Sequence, residues 1–118
     1  GFETVAEAGG IGPTWFRPPY GTLSTPALVA ARRAQLHTVL WTAWGRDWRE
    51  QATPRSVVDD VRRGLSPGAT VLLHDSDCTS APRAWKSALG ALPLLAELFE
   101  ERGLTVGPLR EHGIRNTA

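Results

Sequence analysis

Cysteine is nearly missing from these 118 residues: Cys78 stands alone. No intrachain disulfide can form, and a cysteine-rich zinc module is excluded. Lysine is as scarce, since arginine supplies all but one of the 13 basic residues and Lys86 is the exception. The basic residues are scattered and the net charge is +1, so no block of like charge reads as a nucleic-acid arm. No apolar run approaches the ~20 residues of a membrane helix. The most apolar stretch, Ala88 to Leu98, is interrupted by Gly90, Pro93 and Glu97. No signal peptide is visible, and a chain that begins with Gly1 rather than Met reads as cut from something longer. There is no internal repeat and no low-complexity linker, so no domain boundary is expected inside residues 1–118.

What is present is ordinary for a globular protein: 42% hydrophobic and 21% charged residues, enough for one small domain. Four short strand patterns alternate with helical ones. The strands read Trp15 to Arg17, Thr38 to Trp44, Thr70 to Leu73, and Leu104 to Val106. Continuous apolar runs of this length suit strands buried on both faces of a parallel sheet. Thr25-Pro26 and Thr53-Pro54 each set a capping hydroxyl before a proline at the first helical position. These start helices running to about Gln35 and to Arg63, with Gly64 as terminator. A longer helix over Pro82 to Arg102 is expected to bury Trp85, Leu89, Leu92, Leu95, Ala96 and Phe99, with Pro93 kinking or dividing it. Phe2 to Ala8 reads as the tail of another helix. The order α-β-α-β-α-β-α-β implies an α/β fold with parallel crossovers. It is either a small open sheet or half of a (β/α) barrel, whose whole needs about 250 residues.

In parallel α/β architectures the chemistry lies beyond the carboxyl ends of the strands. Three such loops hold most of the reactive side chains: Arg17-Pro18-Pro19-Tyr20-Gly21, Gly45-Arg46-Asp47-Trp48 and His74-Asp75-Ser76-Asp77. The loops that lead into the strands carry almost none. His74 either packs and caps, or gives a proton to a departing amine, with Asp75 or Asp47 as the carboxylate that orients its ring. Arg17, at the end of a buried strand, is expected to pair with a carboxylate. Pro18-Pro19 stiffens the turn that follows, which makes the Tyr20 N–H a candidate oxyanion donor. Trp48 is a candidate pocket wall suited to the apolar face of a sugar, whereas Trp41 and Trp44 read as core and Trp15 and Trp85 as structural. His37 and His112 lie away from these loops.

Two tempting motifs fail on context. Gly64-Leu65-Ser66-Pro67-Gly68 matches the G-x-S-x-G nucleophile elbow, but helix precedes strand here, and Pro67 has no N–H to donate. Gly9-Gly10-Ile11-Gly12 precedes a strand, so it is no phosphate loop.

Together, Phe16-Arg17-Pro18-Pro19-Tyr20-Gly21, Asp47-Trp48 and Leu72-Leu73-His74-Asp75 resemble three consecutive signature motifs of the polysaccharide deacetylases, the NodB-type domains of carbohydrate esterase family 4. The resemblance covers nearly the whole chain. It implies the C-terminal half of a distorted (β/α) barrel, and residues 1–118 as a partial deacetylase domain. The implied activity is hydrolysis of a carbon–nitrogen bond other than a peptide bond: removal of acetyl groups from N-acetylglucosamine polymers of the chitin or peptidoglycan type. The catalytic set carried over is His74 as general acid, Arg17 orienting the catalytic carboxylate, and Asp47 supporting the histidine or the arginine. The Tyr20 N–H would hold the oxyanion, while Trp48, Leu73 and Val71 would enclose the acetyl methyl.

The chain departs from the family in two places. An aspartate usual three residues before the one matching Asp47 is here Trp44. The family's two N-terminal motifs, an Asp-Asp pair and a His-x-x-x-His pair, are also absent. The divalent metal (zinc or similar) of the complete enzyme therefore has no ligands here, and no two histidines have metal-ligand spacing. The partners implied are an N-acetylated glycan and the missing N-terminal half of the same domain; the family implies an extracellular or cell-envelope location. The 118 residues alone are expected to be inactive. The alternatives are a non-catalytic carbohydrate-binding remnant and a carbohydrate O-acetyl esterase.

Overall fold

The computed structural model describes residues 1–112, and the chain divides into two units, Gly1–Leu40 and Trp41 onward. In the first, α1 (Phe2–Gly9) ends at Gly10, whose φ of 71° is the left-handed conformation glycine adopts without penalty. Strand β1 (Trp15–Phe16) pairs in parallel with β2 (His37–Thr38), in the register Trp15 to His37 and Phe16 to Thr38. Helix α2 (Thr25–Arg33) makes the crossover between them. Its cap is Ser24, whose hydroxyl accepts the Ala27 N–H at 3.3 Å, rather than Thr25 as expected. The helix thus starts one residue early, and Thr25 is already helical.

The second unit repeats the plan. Strand β3 (Ala43–Trp44) pairs in parallel with β4 (Val71–Leu72), in the register Ala43 to Val71 and Trp44 to Leu72. Helix α3 (Pro54–Gly64) connects them, and α4 (Trp85–Glu101) packs on α3. The start of α3 is as read: the Thr53 hydroxyl accepts the Ser56 N–H, and the Ser56 hydroxyl accepts the Thr53 N–H. Val57 and Val61, one helical turn apart, are fully buried with Ala43, Ala91, Leu95 and Leu98.

Gly64 does more than end α3. A Cβ there would lie 2.2 Å from the Thr42 carbonyl oxygen, so its lack of a side chain lets the helix close on the backbone before β3. Gly45 works the same way at the other end, where a Cβ would meet Leu73 Cδ2 at 2.6 Å and Val57 Cγ1 at 2.7 Å.

Three expectations are corrected. The second strand pattern splits into β2 and β3. The Val39 N–H reaches the Phe16 carbonyl, whereas the N–H groups of Thr42 and Ala43 reach that of Thr70. The fourth, Leu104 to Val106, is no strand; Val106 is exposed and no ladder includes it. Helix α4 runs through Pro93 as one element, and it buries Ala88, Ala91, Leu95 and Leu98 while Leu89 and Leu92 stay exposed. The reason is close approach. Gly90 sits where a Cβ would come 2.8 Å from Pro54 Cγ, so the small-residue face of α4, not its leucine-rich one, meets α3.

Candidate active site

Asp47 lies just past β3 and is 1% exposed, one of two buried charged residues among those described. A buried carboxylate needs partners, and both of its oxygens find them on one residue. Oδ2 accepts the His74 main-chain N–H at 2.6 Å, and Oδ1 meets His74 Nδ1 at 2.9 Å. The carboxylate therefore takes the Nδ1 proton, which leaves Nε2 as the free ring nitrogen. The His74 side chain is 35% exposed, so that nitrogen sits on a ring partly open to solvent. Of the two carboxylates offered by the sequence, Asp47 is the partner; Asp75 is exposed.

Trp48 stands beside this pair. Its ring meets His74 edge-on, with centroids 5.7 Å apart and planes at 79°. Trp44 lies behind it, tilted, at 5.1 Å, and the Arg46 guanidinium covers Trp44 at 5.2 Å. Trp44 is thus half-buried and linked to the site, not simply core. The Trp48 carbonyl accepts the Ala81 N–H at 3.1 Å, which ties the loop after β3 to the segment leading into α4.

Val71 and Leu73 are expected from the sequence to enclose an acetyl methyl. Both pack instead against the Val57–Val61–Leu95 core. Strand alternation gives Leu72, in register with Trp44, the opposite face. Leu72 is the residue the sequence reading missed. A wholly apolar strand of this kind carries no alternation from which to choose a face.

Arg17, Pro18 and Tyr20 belong to the first unit. Pro18 is fully buried and fixes the turn. Arg17 is exposed and forms no ion pair among the described residues of that unit, contrary to the pairing expected of it. The reason is that β1 ends at Phe16, one residue short of the pattern, and leaves Arg17 on the turn. Tyr20 adopts φ 56°, ψ 15°, beside N–H groups of Gly21 and Thr22 that close the turn onto Pro18 and Pro19. Arg46, beside Asp47, is likewise at positive φ, 47°. Such backbone is costly for residues other than glycine and is often kept where function uses it.

No group of three or more His, Cys, Asp or Glu able to hold a metal ion occurs among the described residues. His74 Nδ1 and both Asp47 oxygens are already engaged. The described residues do not by themselves fit a divalent-metal centre.

Parallel strand–helix–strand units with a buried carboxylate orienting a half-exposed histidine past the strand ends define an α/β protein with a hydrolase-type site. No family model matches the chain. It is 33% identical over 104 residues to a chitooligosaccharide deacetylase of Bradyrhizobium sp. (strain ANU 289), an alignment covering 82% of this chain and 47% of that protein. Among solved structures it is similar to a family 4 carbohydrate esterase from Streptomyces lividans in complex with acetate: TM-score 0.73, 30% identity, 92% of this chain and 51% of that one. It is also similar to a wild-type CE4 family pseudoenzyme from Bacillus anthracis: TM-score 0.78, 27% identity, 93% of this chain and 36% of that one. The chain belongs to the polysaccharide deacetylases of carbohydrate esterase family 4, the NodB-type domains. It spans about half the length of the curated chitooligosaccharide deacetylases it matches.

Proposed function

We propose that this chain carries the proton-donating part of a polysaccharide N-deacetylase, within a partial (β/α) barrel. The observation that carries the reading is the Asp47–His74 pair, with Nδ1 held at 2.9 Å and Nε2 left free. Hydrolysis of an acetamide adds water across the carbonyl carbon–nitrogen bond. The oxygen leaves with acetate, and the nitrogen must gain a proton as the bond breaks, since an amide anion is too poor a leaving group. His74, protonated on both nitrogens, gives its Nε2 proton to that nitrogen while Asp47 holds Nδ1. Trp48 and Leu72 line the acetyl pocket; Val71 and Leu73 support it from the core side. Arg17 and Tyr20 keep the roles their motif implies, the one orienting the catalytic carboxylate and the other donating its N–H to the oxyanion. The general base and the ligands of the divalent metal would come from residues other than those described, so the 118 residues alone would be inactive.

The substrate class proposed is an N-acetylglucosamine polymer of the chitin or peptidoglycan type, in keeping with the chitooligosaccharide deacetylase relatives. A second reading, a non-catalytic glycan-binding domain, is favoured by the likeness to the pseudoenzyme. Incubation of the complete protein with N-acetylchitohexaose, acetylated xylan and peptidoglycan separates these. New free amines on the first or last support the proposal. Acetate from xylan alone would make the protein an O-acetyl esterase, and glycan binding without acetate release would make it a binding domain.

A further inference from the structure

Asp60 is buried at 7% exposure in the middle of α3, away from the Asp47–His74 pair, and it serves no part of the chemistry described above. Two guanidiniums converge on it: Arg49 Nη2 bonds Oδ2, and Arg63 Nη1 bonds Oδ1. Arg63 is on the same helix, but Arg49 comes from the loop after β3, two residues beyond Asp47. Arg49 also points back along that loop. Its Nε donates to the Arg46 carbonyl at 3.1 Å, and its main-chain N–H reaches the same oxygen at 3.4 Å. Arg46 is the residue held at φ 47°, immediately before Asp47.

We propose that Asp60 and Arg49 are positioning residues: through the Arg46 carbonyl they clamp an unfavourable turn and so aim Asp47 at His74. This rests on the reading of the Asp47–His74 pair as proton donor, and it adds to that reading a device for keeping the pair aligned. An arginine in the left-handed region tends to relax to negative φ. A rotation there would swing the next residue's side chain, and Asp47 has tight tolerances, because its two oxygens satisfy two donors of one residue. Arg49 opposes the rotation by holding the carbonyl twice. Asp60 fixes Arg49 in turn, and its burial in a helix of the packed core makes the anchor rigid. The far side of the loop is separately secured, since Ser87 Oγ donates to the Ala52 carbonyl at 2.7 Å. The stretch that carries Asp47 is thereby held at both ends.

The test uses the complete protein with Arg49→Met, which keeps the aliphatic stem, alongside Asp60→Asn and the double variant Arg49→Met/Arg46→Gly. Glycine holds φ near +47° without a side-chain penalty and so relieves the turn of its need for a clamp. Two readouts are taken: turnover of N-acetylchitohexaose, and the 15N–1H signal of the His74 ring. Arg49→Met is expected to lower kcat about tenfold with KM within twofold, and to shift or broaden the ring Nδ1–H signal. The glycine double variant is expected to recover most of both. A ring signal in Arg49→Met identical to wild type overturns the proposal, as does a double variant whose ring signal stays like that of Arg49→Met. If Asp60→Asn fails to fold, Arg49→Met, on a half-exposed side chain, still decides. Wild-type protein that releases no acetate sinks the functional reading instead, and the ring signal then judges the clamp alone.

Discussion

Asp47 grips His74 at two points, its backbone N–H at 2.6 Å and its ring Nδ1 at 2.9 Å, so position and orientation of the imidazole are set by one buried carboxylate. A ring held only by its side chain could rotate about χ2; this one would have to break a contact to do so.

Asp47→Asn keeps the shape but sets an amide NH2 where one of the two N–H donors now points. One buried donor is left without an acceptor, at a cost of about 1–3 kcal/mol. The D47N protein is therefore expected to unfold at lower urea concentration and to lose most of its turnover. Equal urea midpoints and equal kcat would show that the two contacts do not matter.

Gly64→Ala sets helix propensity against sterics. Alanine gains about 1 kcal/mol in a helix interior. Its Cβ would stand 2.2 Å from the Thr42 carbonyl oxygen, a backbone atom that cannot turn aside. The clash wins, and a net destabilisation of about 1–3 kcal/mol is expected. Gly9→Ala, where nothing lies within 4 Å of a new Cβ, is expected to be neutral or mildly stabilising. Thermal melts of the pair check both signs.

The buried face of α4 can be read from two leucines. Leu95 is 2% exposed and Leu89 is 57% exposed. Leu95→Ala should cost about 2–5 kcal/mol and Leu89→Ala below about 1 kcal/mol. The reverse order in chemical denaturation would restore the leucine-rich face.

Trp48 is placed to act on substrate. Trp48→Ala should raise KM for chito-oligosaccharide several-fold, since aromatic contacts of this sort are worth about 0.5–1.5 kcal/mol. Trp48→Phe, which keeps a ring against His74, should lose less. Unchanged KM in both variants would remove Trp48 from the pocket.

The loops that carry the chemistry were legible because strand–helix alternation says where a parallel sheet puts its carboxyl ends, and Asp47, Trp48 and His74 fell there. The start of α3 was legible because Thr53, Pro54 and Ser56 act locally. What escaped the sequence depended on faces and distances. Val71-Leu72-Leu73 has no polar residue to mark a side, so its pocket-facing member could not be chosen. The face of α4 was misjudged because large leucines look like core, whereas Gly90, Ala88 and Ala91 allow the closer packing. Leu104 to Val106 has strand composition but no partner, and composition cannot supply one. Arg49 and Asp60 gave no signal, because a loop arginine and a mid-helix aspartate eleven residues apart are ordinary until the chain folds.

The account turns on His74 as proton donor to a poor leaving group. The most direct measurement compares His74→Ala with wild type, in the complete protein, on two substrates: N-acetylchitohexaose, whose amine cannot leave unprotonated, and p-nitrophenyl acetate, whose phenolate can. The account predicts a loss of about 10²–10⁴ in turnover on the first and little change on the second. Equal losses on both substrates, or none on the first, would contradict it.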